Sequence, residues 1–229
     1  MESALQQQLI DHLESFVSAH KKERIDSVLA HRTRYLTVVV ENLFQPHNTS
    51  AVLRSCECFG IQDLHVIERD NTFAINDGVA VGSGKWVDIH RSGETGPGAT
   101  NACLSSLRRS GYRVAALTLR EPSVPLADVP LDAPLALCFG TEEEGLSDDA
   151  HAAADYFVRI PMVGFTQSLN ISVTAALTLY ELGIRLRASD AQWQLPKKEQ
   201  DVLRLAWYRS IVPRAEMHVK RVTEAWKGG

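Results

Sequence analysis

Apolar side chains at Leu5, Leu9, Ile10, Leu13, Phe16 and Val17 recur at the spacing of one helical face, which predicts an amphipathic helix over residues 3–17. The pattern then changes period. Leu36 to Val40 is a β-branched apolar run of the buried-strand type, closed by turn chemistry at Gln45-Pro46-His47-Asn48. A helix is expected next, capped by Asn48, Thr49 or Ser50, with Val52, Leu53 and Cys56 on its apolar face and Gly60 at its end. Leu64 to Ile67 reads as a second strand.

Residues 71–98 are rich in glycine and small side chains and show no clear period. A helix follows from about Ala99 to Ser110 and stops at Gly111. Val114 to Leu119, Leu135 to Phe139 and Tyr156 to Ile160 are further strands, and Ser168 to Arg187 carries Ala, Leu and Val at helical spacing. After Trp193 and Pro196 the chain reads as one or two helices with a basic face. Strands alternating with helices predict an α/β fold whose parallel sheet is covered on both faces.

With 229 residues, 45% hydrophobic and 23% charged, the chain can bury one sizeable core and carry appended helices. No apolar run approaches the roughly 18 residues of a spanning helix, and residues 1–20 lack the basic-then-apolar order of a secretory signal. The expectation is a cytoplasmic protein without a membrane segment. Cys56, Cys58, Cys103 and Cys138 form no C-x-x-C pair and read as reduced core or helix residues. Cys56 and Cys58 with His47 lack the spacing of a usual zinc site, so no metal is expected.

A formal charge of −4 argues weakly against a nucleic-acid partner, but its distribution is uneven. Residues 121–155 hold nine acidic residues and no lysine or arginine. Residues 185–229 hold ten basic against five acidic residues, and residues 21–34 hold five against two. These can be ordinary solvated faces. They also leave two terminal segments able to meet phosphates.

An α/β chain invites a dinucleotide or P-loop reading, and neither fingerprint is present. Gly82-Ser83-Gly84-Lys85 comes nearest, with Val79 where a P-loop needs its first glycine and Trp86 where it needs a hydroxyl for magnesium. There is no G-x-S-x-G elbow for an esterase.

Three other segments each join a strand end, a polar loop and a helix start, placing polar groups where open α/β sheets build their sites. They are Glu41 to Arg54, reading ENLFQPHNTSAVLR, Phe139 to Ser147, reading FGTEEEGLS, and Ile160 to Val173, reading IPMVGFTQSLNISV. In order and spacing, across roughly residues 33–188, they resemble the three motifs of the SpoU/TrmH family of RNA ribose methyltransferases. The resemblance implies a SPOUT fold over residues 35–188, with a C-terminal trefoil knot forming an S-adenosyl-L-methionine pocket. It also implies a homodimer with the site at or near the subunit interface. Residues 1–34 and 189–229 would then be helical extensions.

The reaction so implied is attack of a ribose 2'-hydroxyl on a sulfonium methyl, which needs alignment and an outlet for the hydroxyl proton. Arg54 matches the family's motif arginine. A guanidinium is a donor that stays charged, so phosphate binding and electrostatic activation of the hydroxyl suit it better than proton abstraction. Asn48 matches the motif asparagine and holds Arg54 or the ribose, unless it only caps its helix. Glu142 matches the motif carboxylate, while Glu143 and Glu144 face solvent. Ser168 and Asn170 match the third motif, one capping the long helix and the other reaching substrate or cofactor. The family's backbone contacts to the cofactor carry over to Leu117, Gly140, Ile160 and Leu169, and Met162 with Leu169 gives the adenine an apolar wall or simply fills core.

Some 35 residues before the first strand are too few for an independent RNA-binding domain. The chain therefore looks most like the members of the family that methylate the D-loop guanosine at position 18 of tRNA, with the basic segments gripping the folded RNA. The segment after Gln192 departs from the family pattern. A ribosomal RNA or another tRNA position is the competing target, and a silent RNA-binding protein on the same fold is the competing class.

Overall fold

The computed structural model describes residues 3–93 and 95–226. They divide into two compact units, one made of the described residues of Met1–Arg32 and Gln194–Gly229, the other spanning Thr33–Trp193.

The first unit contains α1 (Ser3–Glu14) and α2 (Ala19–Leu29) from one end of the chain. Its other two helices, α8 (Lys197–Ile211) and α9 (Ala215–Ala225), are named after the elements of the second unit, which come between them in sequence. The helix expected over residues 3–17 therefore ends at Glu14, and α2 was not foreseen. Leu9, Leu13, Leu29, Leu203 and Tyr208 are buried, and the Arg32 guanidinium lies 5.4 Å from the centre of the Trp207 ring. His12 Nε2 and His218 Nδ1 meet at 3.1 Å and join α1 to α9.

The second unit runs β1 (Leu36–Glu41), α3 (Pro46–Cys58), β2 (Asp63–Ile67), α4 (Asp77–Ala80), β3 (Asp88–Arg91), α5 (Ala99–Arg109), β4 (Arg113–Leu117), β5 (Val124–Pro125), β6 (Leu135–Phe139), α6 (Asp148–Ala153), β7 (Tyr156–Arg159) and α7 (Ile171–Arg187). All pairings are parallel, in the order β3-β2-β1-β6-β4-β7-β5. β6 thus lies between β1 and β4, with Val38 opposite Leu137 and Ala116 opposite Cys138.

Alternation along the strands sends successive side chains to opposite faces. Leu36, Val38 and Val40 of β1 share a core with Val52, Leu53 and Cys56 of α3 and Ala175, Leu179 and Leu182 of α7. Val39 shares the opposite core with Leu104 and Leu107 of α5 and Ala150 of α6. Burial on both faces explains the uninterrupted apolar runs of β1 and β6.

Two helix starts differ from expectation. Pro46 occupies the first turn of α3 with Gln45 as its N-cap, so the helix begins before Asn48, and none of Asn48, Thr49 or Ser50 caps it. A proline lacks the N–H that would go unpaired there and presets the helical φ. α7 begins at Ile171, leaving Ser168 in the preceding loop. The strands expected to reach Leu119 and Ile160 stop at Leu117 and Arg159. β3, β5 and α6 were not foreseen: β3 is an edge strand reading Asp-Ile-His-Arg with no apolar run, and β5 has two residues.

Candidate active site

The carboxyl ends of β4, β6 and β7 open onto a cavity of about 440 Å³, within the range of small-ligand sites. Leu117, Gly140, Ile160 and Leu169, the four residues expected to meet a cofactor, all line it, as do Glu142, Met162 and Ser168. Phe139, Val158 and Ile171 complete an apolar wall.

Gly140 makes the geometry possible. Thr141 and Gly145 exchange backbone hydrogen bonds at 3.1 Å, folding the Thr141–Gly145 segment back on itself. A Cβ on Gly140 would lie 2.1 Å from the Gly145 carbonyl, and Gly145 closes the turn with φ +70°. The chain therefore brings bare backbone to the cavity wall. That wall, apolar and edged with main chain, suits an adenosyl group.

Behind the turn sits Glu41, a buried carboxylate at the end of β1. It accepts hydrogen bonds from Thr100 Oγ1 at 2.5 Å, Ser147 N at 2.8 Å and Ser147 Oγ at 2.7 Å. Ser147 in turn caps α6, whose first turn holds Asp148 and Asp149. Next to Glu41, Asn42 adopts φ +59° and accepts from the N–H groups of Asp70 and Asn71 at 2.8 and 2.9 Å, which ties the ends of β1 and β2. Both residues stood in the first motif without an assigned role.

His151 also escaped the sequence reading, since nothing marks a single histidine in a short helix. Its Nδ1 donates to the Ser147 carbonyl at 2.7 Å, and its Nε2 lies 3.0 Å from Thr118 Oγ1, within hydrogen-bond distance. Thr118 and His151 both line the cavity, and Arg120, paired with Asp148 at 2.7 Å, stands at its edge.

The polar residues of the three motifs converge on Asn170. Its Oδ1 accepts from Ser172 N at 2.8 Å and caps α7. Its Nδ2 donates to the Glu142 carboxylate and, at 3.2 Å, to Asn48 Oδ1. Asn48 is buried and its own Nδ2 donates to Gln45 Oε1 at 2.8 Å. Asn48, Glu142 and Asn170 thus form one hydrogen-bonded group beside the cavity. Ser168 is exposed on the cavity wall.

Arg54 is not part of that group. It is exposed on α3 and, among the described residues, makes no hydrogen bond or ion pair. It opens instead onto a shallow groove between α3 and α7 that it shares with Ser55, Cys58, Ser172, Val173 and Leu177. The guanidinium is therefore left available to an anion outside the cofactor-sized cavity.

Residues 35–180 match the SpoU rRNA Methylase family. A tRNA (guanosine(18)-2'-O)-methyltransferase of Borreliella burgdorferi is 40% identical over 200 residues, covering 87% of this chain and 89% of that protein. The enzyme of the same name from Escherichia coli K12 is 32% identical over 187 residues, covering 79% and 78%. Among solved structures, the A. aeolicus TrmH/SpoU tRNA modifying enzyme superposes with a TM-score of 0.73 at 29% identity, over 85% of this chain and 98% of that one. With its motifs gathered at the ends of a seven-stranded parallel sheet, the chain belongs to the SpoU methylase family.

Proposed function

We propose that this protein transfers a methyl group from S-adenosyl-L-methionine to the 2'-hydroxyl of the guanosine at position 18 in the D-loop of tRNA. The observation that carries the reading is the hydrogen-bonded group of Asn48, Glu142 and Asn170 at the edge of an adenosyl-sized cavity. Relatives of the same printed name, 32 to 40% identical over most of the chain, supply the substrate.

When bound, the cofactor supplies an electrophilic methyl on a positively charged sulfur. Leu117, Gly140, Ile160 and Leu169 hold it, mainly through backbone. Asn48 and Asn170 fix Glu142, whose carboxylate accepts a hydrogen bond from the ribose and offers an outlet for the hydroxyl proton. Ser168 completes the ribose-side wall. Arg54 binds the phosphate beside the target nucleotide and stabilises negative charge developing on the ribose oxygen. This reading takes in the SPOUT trefoil knot, threaded from the C-terminal part of the chain.

The same reading includes a homodimer. Val173, Leu177, Tyr180 and Ile184 form an exposed apolar stripe on α7 at spacings of four, three and four residues. Covering that stripe also encloses the groove holding Arg54. Lys21, Arg24, Lys198, Arg214 and Arg221 are exposed and, among the described residues, carry no ion pair, so they are free to grip phosphates of the folded RNA. Among the described residues no helix is long and apolar enough to cross a membrane.

The test is methyl transfer from labelled S-adenosylmethionine to unmodified tRNA and ribosomal RNA transcripts, with the labelled ribose mapped. Label on the D-loop guanosine supports the assignment. Label on ribosomal RNA alone moves the substrate, and cofactor binding with no labelled RNA makes the chain a silent binder.

A further inference from the structure

Residues 161–169, between β7 and α7, form the least anchored stretch at the site. Among the described residues they make no hydrogen bond through backbone or side chain. Every residue from Pro161 to Ser168 is exposed, and Val163 and Phe165 are fully so, at 107% and 108%. Fully exposed valine and phenylalanine two residues apart are costly to leave in water. A loop without internal hydrogen bonds also opens and closes at little cost.

Both ends of the loop lie at the cavity. Met162 near its start and Gln167, Ser168 and Leu169 at its end all line it, so Phe165 is never more than three residues from a lining residue. The flexible part thus spans an apolar cavity that is open to solvent. Ring and cavity offer each other the surface that both lack.

We propose that residues 161–169 are a lid over the S-adenosylmethionine cavity, and that Phe165 is a cofactor-binding residue whose ring closes against the bound adenosyl group. The inference rests on the cofactor assignment made above and adds the residue that closes the site. Closing the lid removes water from the cofactor and brings Ser168 and Leu169 to their places. An aromatic face against a purine is the contact that such a ring makes best.

The experiment is calorimetric binding of S-adenosylmethionine to the full chain without RNA, comparing wild type with Phe165→Ala and Phe165→Leu. Amide hydrogen exchange over residues 161–169, with and without cofactor, is measured alongside. The lid predicts roughly tenfold weaker binding in Phe165→Ala, partial recovery in Phe165→Leu, and slowed exchange on binding in wild type only. Melting temperature and solution mass should be unchanged. Normal affinity in Phe165→Ala with exchange that cofactor does not alter overturns the lid and leaves the cofactor assignment standing. A changed solution mass at normal affinity assigns the ring to a second copy of the chain and likewise overturns it. Failure of the wild type to bind at all overturns the cofactor assignment itself.

Discussion

Asn170 donates from Nδ2 to Asn48 Oδ1 at 3.2 Å, across 122 positions of sequence, while its Oδ1 caps the helix that follows. One side chain thus starts α7 and holds the first motif to the second through Glu142. The two roles separate by substitution. Asn170→Ser keeps a capping oxygen, so stability should stay within a few tenths of a kcal/mol, whereas Asn170→Ala should lose about 1 kcal/mol. Both should slow methyl transfer, on the order of 100-fold, because Glu142 is released. Urea unfolding and single-turnover transfer on the same samples check this, and full activity in Asn170→Ser would reduce the residue to a cap.

Gly140→Ala should be far more damaging than its one methyl suggests. The added Cβ would overlap the Gly145 carbonyl at 2.1 Å, so the turn that edges the cavity must open. A cost of about 1–3 kcal/mol in stability is expected, with loss of S-adenosylmethionine binding by calorimetry. Unchanged affinity would show that the turn does not touch the cofactor.

Arg54→Ala tests the separation of the two sites. Because Arg54 lies outside the cavity, the variant should bind S-adenosylmethionine as the wild type does and fail to methylate RNA. Loss of cofactor affinity in Arg54→Ala would contradict that arrangement.

The β2–β3 edge should show opposed pH dependences. His90 donates to Asp63 at 2.7 Å, and this bond raises its pKa above 6.5. Its contribution to stability is therefore full below 6.5 and is lost as pH rises through the raised value. His65, stacked on His90 at 4.7 Å, is pushed down to about 4 by burial. There the unfolded chain takes the proton first, so stability falls as pH drops from 6.5 towards 4. Burial raises the Asp63 carboxyl, but the hydrogen bond from His90 and the charge of Arg34 outweigh it and hold it below 3.8, so its contribution persists until pH falls through that lowered value. His90→Asn should flatten the alkaline decline of the unfolding midpoint and make the acid decline shallower without removing it, since burial still lowers His65, as measured by urea unfolding from pH 4 to 9.

The hydrophobic pattern was enough to locate β1, β2, β4, β6, β7, α3, α5 and α7, because strands buried on both faces write continuous apolar runs. It could not show β3, an edge strand with a single apolar residue and none buried, or α2, whose apolar positions are few. α6 carried a legible start in Ser147-Asp148-Asp149, a cap followed by acids. The strand order was not readable, since nothing local tells β6 to insert between β1 and β4. At the site, motif residues were legible as a set, but Glu41, Gln45 and His151 were not, because each acts through a partner distant in sequence or fixed only by the turn geometry.

The central claim concerns one oxygen atom. The direct measurement compares methyl transfer to a tRNA transcript with transfer to the same transcript carrying a single 2'-deoxyguanosine at position 18. The account predicts stoichiometric label in the first and none in the second, with both RNAs bound equally well. Equal labelling of the two would place the methyl group on another atom and contradict the assignment.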